Sequence, residues 1–422
     1  MENYLSYELA QQPTSLFQEG LMRKTQKSVF GQVLKSKVEP QTEFPQNSIF
    51  IIDGGYLLRV VVWPPDSTYE DVFQAYVSYI ENHFGLDAVV VFDGYDSNES
   101  TKITEQLRRA SQVVSREIIF NKETKIVTTQ ASFLANGANK SKLIKMIRKK
   151  FEHHADADAL ISTTALTLAK SESQPIVVIG TDTDLLVSLV SQITPGMSVY
   201  MCGHSPPIVY DLQAIQSAIG GVRTHLMTLH AITGCDTTSA RFGKGKKKAL
   251  LLAQNDSLDF LDVFKSSESS KDSISMAGEK FLLKLYGARS VATLDKYRYT
   301  CYNRSIGRSS LTSSFKLESL PPTSAAARQH SFRTYLTVQQ WQGNLLNPTQ
   351  WGWRKQDDML APVETDEPVA PESLLKLVSC GCKGPCGKAC GCRKLALHCT
   401  PMCSNCEGRT CTNTAVVSNE DP

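Results

Sequence analysis

The chain has 422 residues, 41% hydrophobic and 21% charged, which excludes a mostly disordered or collagen-like protein. A formal net charge of +3 is too small to name a partner. The most apolar stretch, residues 49–65, is interrupted by Asp53 and Arg59 and ends in Pro64-Pro65, so no membrane span is expected.

Residues 1–47 read as a helical lead-in, because Leu16, Phe17, Leu21 and Met22 recur at near-helical spacing before Pro40 and Pro45 break the pattern. The first residues show no basic region followed by an apolar core, so no secretory signal is expected and the compartment is nucleus or cytosol. A short apolar strand is predicted over 48–53, ending at Gly54-Gly55, and two of the same form over 88–94 and 175–182. Continuously apolar runs of this length suit strands covered on both faces. Helical patterns at 70–84, 140–151 and 184–193 accompany them. The fold class is therefore α/β, a mostly parallel twisted sheet with helices on both faces.

After Met201 the pattern is mostly helical, with short helices predicted at 212–219, 225–232 and 247–253. Residues 48–255 are read as one core and 256–353 as a mostly helical extension. Within the extension, Leu320-Pro321-Pro322-Thr323 signals the start of a helix over 324–341. Residues 354–378 read as an acidic linker punctuated by Pro362, Pro368 and Pro371, residues 379–413 as a cysteine-rich module, and 414–422 as a disordered tail. Residues 241–248 carry five cations and no anion, residues 354–371 a net charge of −3, and residues 380–413 a net charge of +4. Two basic sites joined by an acidic tether suggest two polyanion contacts.

Three predicted strands finish in aspartate: Asp53, Asp93, and Asp182 with Asp184. In an open α/β sheet, ligands bind beyond the carboxyl ends of the strands. A second pair, Asp156 and Asp158, precedes a helical run, and Asp236 follows Gly234-Cys235. A single aspartate at a strand end is commonly a turn or helix cap, but capping does not call for two pairs. Many bare carboxylates in one place must bind cations or protons. Oxygen donors alone suit Mg²⁺ or Mn²⁺, and two such ions are a known solution for phosphodiester cleavage.

Gly243 and Gly245 bracket a tight turn between two predicted helices, and Lys244, Lys246, Lys247 and Lys248 surround it. Glycine lets backbone N–H groups approach a phosphate, and a helix N-terminus adds a favourable dipole. The alternative is a solvated lysine loop.

Nine of the 12 cysteines lie between Cys380 and Cys411: Cys380, Cys382, Cys386, Cys390, Cys392, Cys399, Cys403, Cys406 and Cys411. An odd number of clustered thiols in a reducing compartment reads as metal ligation. Nine thiolates satisfy two Zn²⁺ with one to spare, or three Zn²⁺ if three of them bridge. The segment has almost no aliphatic residues, so metal binding must supply its folding energy. A zinc knot that only mediates protein contacts is the alternative to a DNA-binding role.

The ordered motifs resemble the flap endonuclease (XPG-type) family of PIN-like nucleases over residues 48–255. They are Ile52-Asp53, Val91-Phe92-Asp93-Gly94, Asp156/Asp158, Asp182/Asp184, Gly234-Cys235-Asp236 and Gly243-Lys244-Gly245-Lys246-Lys247-Lys248-Ala249. The resemblance implies that Asp53, Asp93, Asp156 and Asp158 hold one metal, and that Asp182, Asp184 and Asp236 hold or support a second. It also implies that the glycine turn belongs to a helix–two-turn–helix element gripping duplex backbone through K⁺. Two departures stand out. The family's acidic pair is usually glutamate, and the basic residues after the V-F-D-G motif (here Lys102, Arg108 and Arg109) are not at matching offsets.

The cysteine spacing resembles the tesmin-like cysteine-rich (CXC) domain, whose members bind DNA with a three-zinc, nine-cysteine cluster. The closing C-x₂-C-x₄-C departs from that family's usual spacing. Arg393 and Lys394, directly after Cys392, are the candidate DNA contacts. A nuclease-like core joined to such a tail resembles chains associated with mobile elements. The resemblances imply a Mg²⁺- or Mn²⁺-dependent, structure-selective nuclease positioned on DNA in the nucleus. A catalytically silent nucleic-acid-binding protein and a PIN-type ribonuclease acting on RNA are the alternatives. No membrane or small-molecule partner is expected.

Overall fold

The computed structural model describes residues 2–92, 101, 115–150, 161–203, 207–288, 290–308, 315–356, 359–375, 379–384, 386–395, 397–400 and 402–413. Asp93, Asp156, Asp158, Lys102, Arg108, Arg109 and the tail 414–422 lie outside the described residues.

A five-stranded sheet is built from β1 (Ile49–Asp53), β2 (Val89–Val91), β3 (Ile176–Ile179), β4 (Val199–Cys202) and β5 (Val209–Asp211), in the order β2-β1-β3-β4-β5. The first four run parallel, and β5 closes the edge antiparallel to β4. Pairing of Ile52 with Ile179 and of Asp53 with Val91 brings the carboxyl ends of β1, β2 and β3 to one edge.

Side chains alternate along the strands and feed two cores. Ile51 and Val178 face one core with Phe30 and Leu34 of α1 (Ser28–Lys35). Ile52 and Val177 face the other, where α2 (Gly54–Val60), α3 (Tyr69–Phe84) and α4 (Gly137–Lys150) contribute Leu57, Tyr76 and Ile147. Thr68 and Asp71 form a capping box at the start of α3, which fixes that boundary. The first core also receives α5 (Ile161–Ser171), α6 (Thr183–Gln192), α7 (Leu212–Ile219) and α8 (Leu226–Ile232). It continues into α9 (Lys246–Asn255), α10 (Lys271–Tyr286) and α11 (Ser324–Trp341). At the crossing of α10 and α11 a Cβ on Gly278 would lie 1.9 Å from Ser331 Oγ, so the two backbones approach closely only because Gly278 is there.

Two expectations are corrected. Residues 16–22 are not helical: Phe17 pairs with Met22 across a two-stranded hairpin, with Glu19 and Gly20 at φ 52° and 83°. Burial of Leu16, Phe17 and Met22 against Trp353, Leu336 and Leu360 overrides the local spacing. The start of the expected linker is also folded. Trp353–Gln356 pairs antiparallel with Met359–Pro362, and Arg333 of α11 donates to the carbonyls of Gly352 and Val363 on either side. Among the described residues no helix is long and apolar enough to cross a membrane.

Candidate metal centres

Asp53 ends β1 and caps α2: its Oδ1 accepts the backbone N–H groups of Gly55 at 2.8 Å and Tyr56 at 3.3 Å. The turn after it needs glycine, because a Cβ on Gly54 would sit 2.3 Å from the Phe92 ring. A Cβ on Gly180 would lie 3.2 Å from Asp53 Cβ, so Asp53 stands against the end of β3.

Asp182 caps α6, and its Oδ1 accepts the Asp184 N–H at 3.0 Å. That cap turns the chain so that Asp184, in the first turn, stays on the same edge. Asp236 arrives from the loop after α8. Gly234 adopts φ 106°, and a Cβ there would lie 2.8 Å from Ala240 Cα, so the loop closes on itself only with glycine. Thr238 Oγ1 donates to Ala231 O at 2.6 Å and accepts the Cys235 N–H at 3.0 Å. Asp182, Asp184 and Asp236 each offer one oxygen within 4.8 Å of the others, an arrangement that can hold a metal ion. The side chains of Asp184 and Asp236 are only 13% and 18% exposed, so water screens their repulsion poorly.

The carboxylates are held by two groups that the sequence did not signal, a cation and a hydrogen-bond donor. Lys27, at the N-terminus of α1, places Nζ 2.9 Å from Asp182 Oδ1, 3.5 Å from Asp184 Oδ2 and 3.1 Å from Asp236 Oδ2. Burial alone would lower its pKa; the charges of Asp184, Asp182 and Asp236 outweigh this and hold it well above the usual lysine range. Burial and the charge of Asp184 raise the Asp182 carboxyl, with Lys27 opposing them.

Behind Asp184 lies His230, fully buried, with Nε2 2.8 Å from Asp184 Oδ1. Its Nδ1 faces Lys246 Nζ at 3.0 Å, and the same ammonium donates to His230 O at 2.8 Å and Thr233 Oγ1 at 3.2 Å. Three acceptors match three N–H donors, so Nδ1 accepts and Nε2–H donates to Asp184. Burial, then the Lys246 charge, push the His230 pKa down to about 4, and burial pulls Lys246 down to about 7. A neutral imidazole donating to a carboxylate fixes that carboxylate's orientation, as outer-shell partners of metal ligands do.

Lys246 therefore corrects the reading of the lysine run. It is 2% exposed and spent on internal hydrogen bonds, because the face of α9 that carries it also carries buried Ala249 and Leu250. Lys247 and Lys248 are exposed and Lys244 half-buried, with its Nζ 5.3 Å from the Tyr286 ring centroid. Gly243, at φ 64°, and Gly245, which caps α9, are both exposed at the helix start.

In the C-terminal module all nine cysteines are free of disulfides, and seven are buried. Sγ separations are 3.7 Å for Cys380–Cys386, 3.8 Å for Cys386–Cys399, 4.0 Å for Cys390–Cys399 and 3.6 Å for Cys392–Cys403. Four thiolates at ~2.3 Å from a tetrahedral ion stand ~3.8 Å apart, so the donor set fits Zn²⁺. Three sets of four converge, and they overlap: Cys380/Cys386/Cys399/Cys406, Cys380/Cys390/Cys392/Cys399 and Cys380/Cys382/Cys386/Cys390. Cys380 belongs to all three; Cys403 and Cys411 belong to none of them. The backbone N–H of Arg393 holds the Cys390 thiol down to about 6, against burial. Arg393 is half-buried and donates to Thr412 Oγ1, whereas Lys394 is exposed.

No family model and no curated protein matches the chain. Among solved structures, the catalytic core of Rad2 in complex with DNA substrate superposes with a TM-score of 0.37 at 15% identity, covering 66% of this chain and 78% of that one. A second such complex gives 0.36 at 15% identity over 68% and 79%. A further structure of that core gives 0.34 at 13% identity over 67% and 79%. Likenesses this loose decide nothing about function.

Proposed function

We propose that the chain is a Mg²⁺- or Mn²⁺-dependent, structure-selective DNA nuclease whose cysteine module binds zinc and contacts DNA. The observation that carries this reading is the convergence of Asp182, Asp184 and Asp236, beside Asp53, at the carboxyl edge of the sheet. The donors of the triad are carboxylate oxygens, which favour hard divalent cations. Asp182, Asp184 and Asp236 supply donors for one ion. Asp53, with Asp93, Asp156 and Asp158 by resemblance, supplies the rest. Such ions activate water and stabilise the leaving oxygen of a phosphodiester. His230 fixes the orientation of the Asp184 carboxylate through Oδ1, and the threonine-braced loop fixes Asp236, so both acids would be held in place to bind the ion.

The exposed turn at Gly243 and Gly245, with Lys244, Lys247 and Lys248, is the candidate grip on duplex backbone, with K⁺ as the bridging ion that the resemblance implies. The overlapping thiol sets support shared ligation and three Zn²⁺ in a CXC-type module, with Lys394 as its exposed cationic contact. Action on DNA makes the nucleus the expected compartment. The test is incubation of the zinc-replete chain with labelled flap, nicked, hairpin and single-stranded DNA and RNA, with Mg²⁺, Mn²⁺ or neither. Cleavage confined to branched DNA supports the reading; cleavage confined to RNA replaces it with the ribonuclease alternative.

A further inference from the structure

Lys27 occupies the point where the Asp182, Asp184 and Asp236 carboxylates meet, with all three within 3.5 Å of its Nζ. A chance surface rotamer would not be anchored on both sides, and this one is. Upstream, Lys24 Nζ donates to Asp236 O at 3.1 Å, and Arg23 O accepts the Ala240 N–H at 2.7 Å. The Arg23 guanidinium also lies 5.1 Å from the Phe242 ring centroid, and Ser15 O accepts the Phe242 N–H at 3.1 Å. Residues 15–24 are thus strapped along the loop that delivers Asp236. Downstream, the Phe30 ring stands 5.0 Å from the His230 ring, and a Cβ on Gly31 would lie 3.2 Å from Thr183 Oγ1. Both flanks of Lys27 are tied to the elements that carry the three carboxylates.

We propose that Lys27 is the resident cation of this triad, and that a divalent ion enters the triad only by displacing its ammonium. The inference rests on the metal-binding reading above. An ammonium and a divalent ion repel each other and claim the same oxygens, so they exclude one another. The four-carbon stem of lysine lets the charge leave without unfolding α1. Metal loading is thereby coupled to the position of the Lys27 side chain, whose ammonium offsets one of the triad's negative charges.

The test is Mn²⁺ titration of the zinc-replete full chain, read by electron paramagnetic resonance and calorimetry. Lys27→Met should bind Mn²⁺ at least about tenfold more tightly than the unmodified protein, or bind one ion more. Asp236→Asn in the Lys27→Met background should cancel the gain, and Lys27→Arg should keep the original isotherm. Identical isotherms for the unmodified protein and Lys27→Met overturn the proposal while leaving the metal site intact. No binding by either protein removes the metal site and the proposal with it. If Lys27→Met does not fold, amine-reactive labelling of the unmodified protein decides: Lys27 labelling should rise severalfold in millimolar Mg²⁺. Labelling that is the same with and without Mg²⁺ overturns the proposal.

Discussion

His230 braces Asp184 from the protein side: Nε2 lies 2.8 Å from Asp184 Oδ1, while Nδ1 takes the buried ammonium of Lys246 at 3.0 Å. The chain Lys246–His230–Asp184 links the first turn of α9 to the carboxylate triad. Removing such an outer-shell partner typically lowers metal affinity about 10–100-fold. His230→Ala should therefore weaken Mn²⁺ binding by that order in a variant that keeps its far-UV circular dichroism. Unchanged affinity would make His230 a packing residue only.

The lysine run should divide by burial. Lys247 and Lys248 are exposed, so replacing both by Ala should lower duplex affinity and reduce the slope of log K against log salt by about 1.8, at ~0.9 per phosphate contact. Lys246→Met should leave that slope unchanged and instead lower the midpoint of thermal unfolding, because His230 Nδ1, His230 O and Thr233 Oγ1 lose their donor. Binding isotherms at several salt concentrations, alongside a melting curve, separate the two effects.

The strands Ile49–Asp53, Val89–Val91 and Ile176–Ile179 were legible because each lies in a continuous apolar run that stops at Asp or Gly, too short for a buried helix and right for a strand covered on both faces. The strands Val199–Cys202 and Val209–Asp211 were not, being poorer in β-branched residues than those three. Asp182 and Asp184 were legible as acids at a helix start, and Asp236 as the acid of a Gly-Cys-Asp turn before the basic run. Lys27 carried no local signal, since its contact with Asp182 spans 155 residues of sequence. His230 sits in a helix buried on every face, where a lone histidine looks like core. The inward direction of Lys246 was readable in principle: Ala249 and Leu250, three and four residues on, are the apolar face of the same helix. The lysine cluster masked it.

Sharing of thiols makes the cysteine module unequal residue by residue. Cys380 belongs to all three converging sets and Cys411 to none. Cys380→Ser should cost more than one Zn²⁺ per chain, and Cys411→Ser one at most, as counted by native mass spectrometry. Equal losses would mean separate, unshared ions.

A pH dependence follows from His330. Burial, then the charges of Arg241 and Arg333, push its pKa well below 6.5, while Ile232 O accepts from its Nε2 at 2.9 Å. As pH falls below 6.5 the unfolded chain takes up a proton that the folded chain refuses. The folded-state pKa is depressed, so this contribution is intact above that pH and lost below it. His330→Asn should flatten the acid side of the stability curve by up to about 1.4 kcal/mol per pH unit. Denaturant melts at successive pH values measure it, and parallel curves for the two proteins would contradict it.

A carboxylate edge that serves as a divalent-metal site for phosphodiester hydrolysis must lose its activity with the metal or with one of its acids. Single-turnover cleavage of a labelled flap duplex by the zinc-replete chain in Mn²⁺ measures this, beside Asp184→Asn and a reaction without divalent metal. Cleavage should require Mn²⁺ and fall by at least about a hundredfold in Asp184→Asn, with DNA binding retained. Cleavage that proceeds equally without divalent metal, or at the same rate in Asp184→Asn, would contradict the metal-site reading.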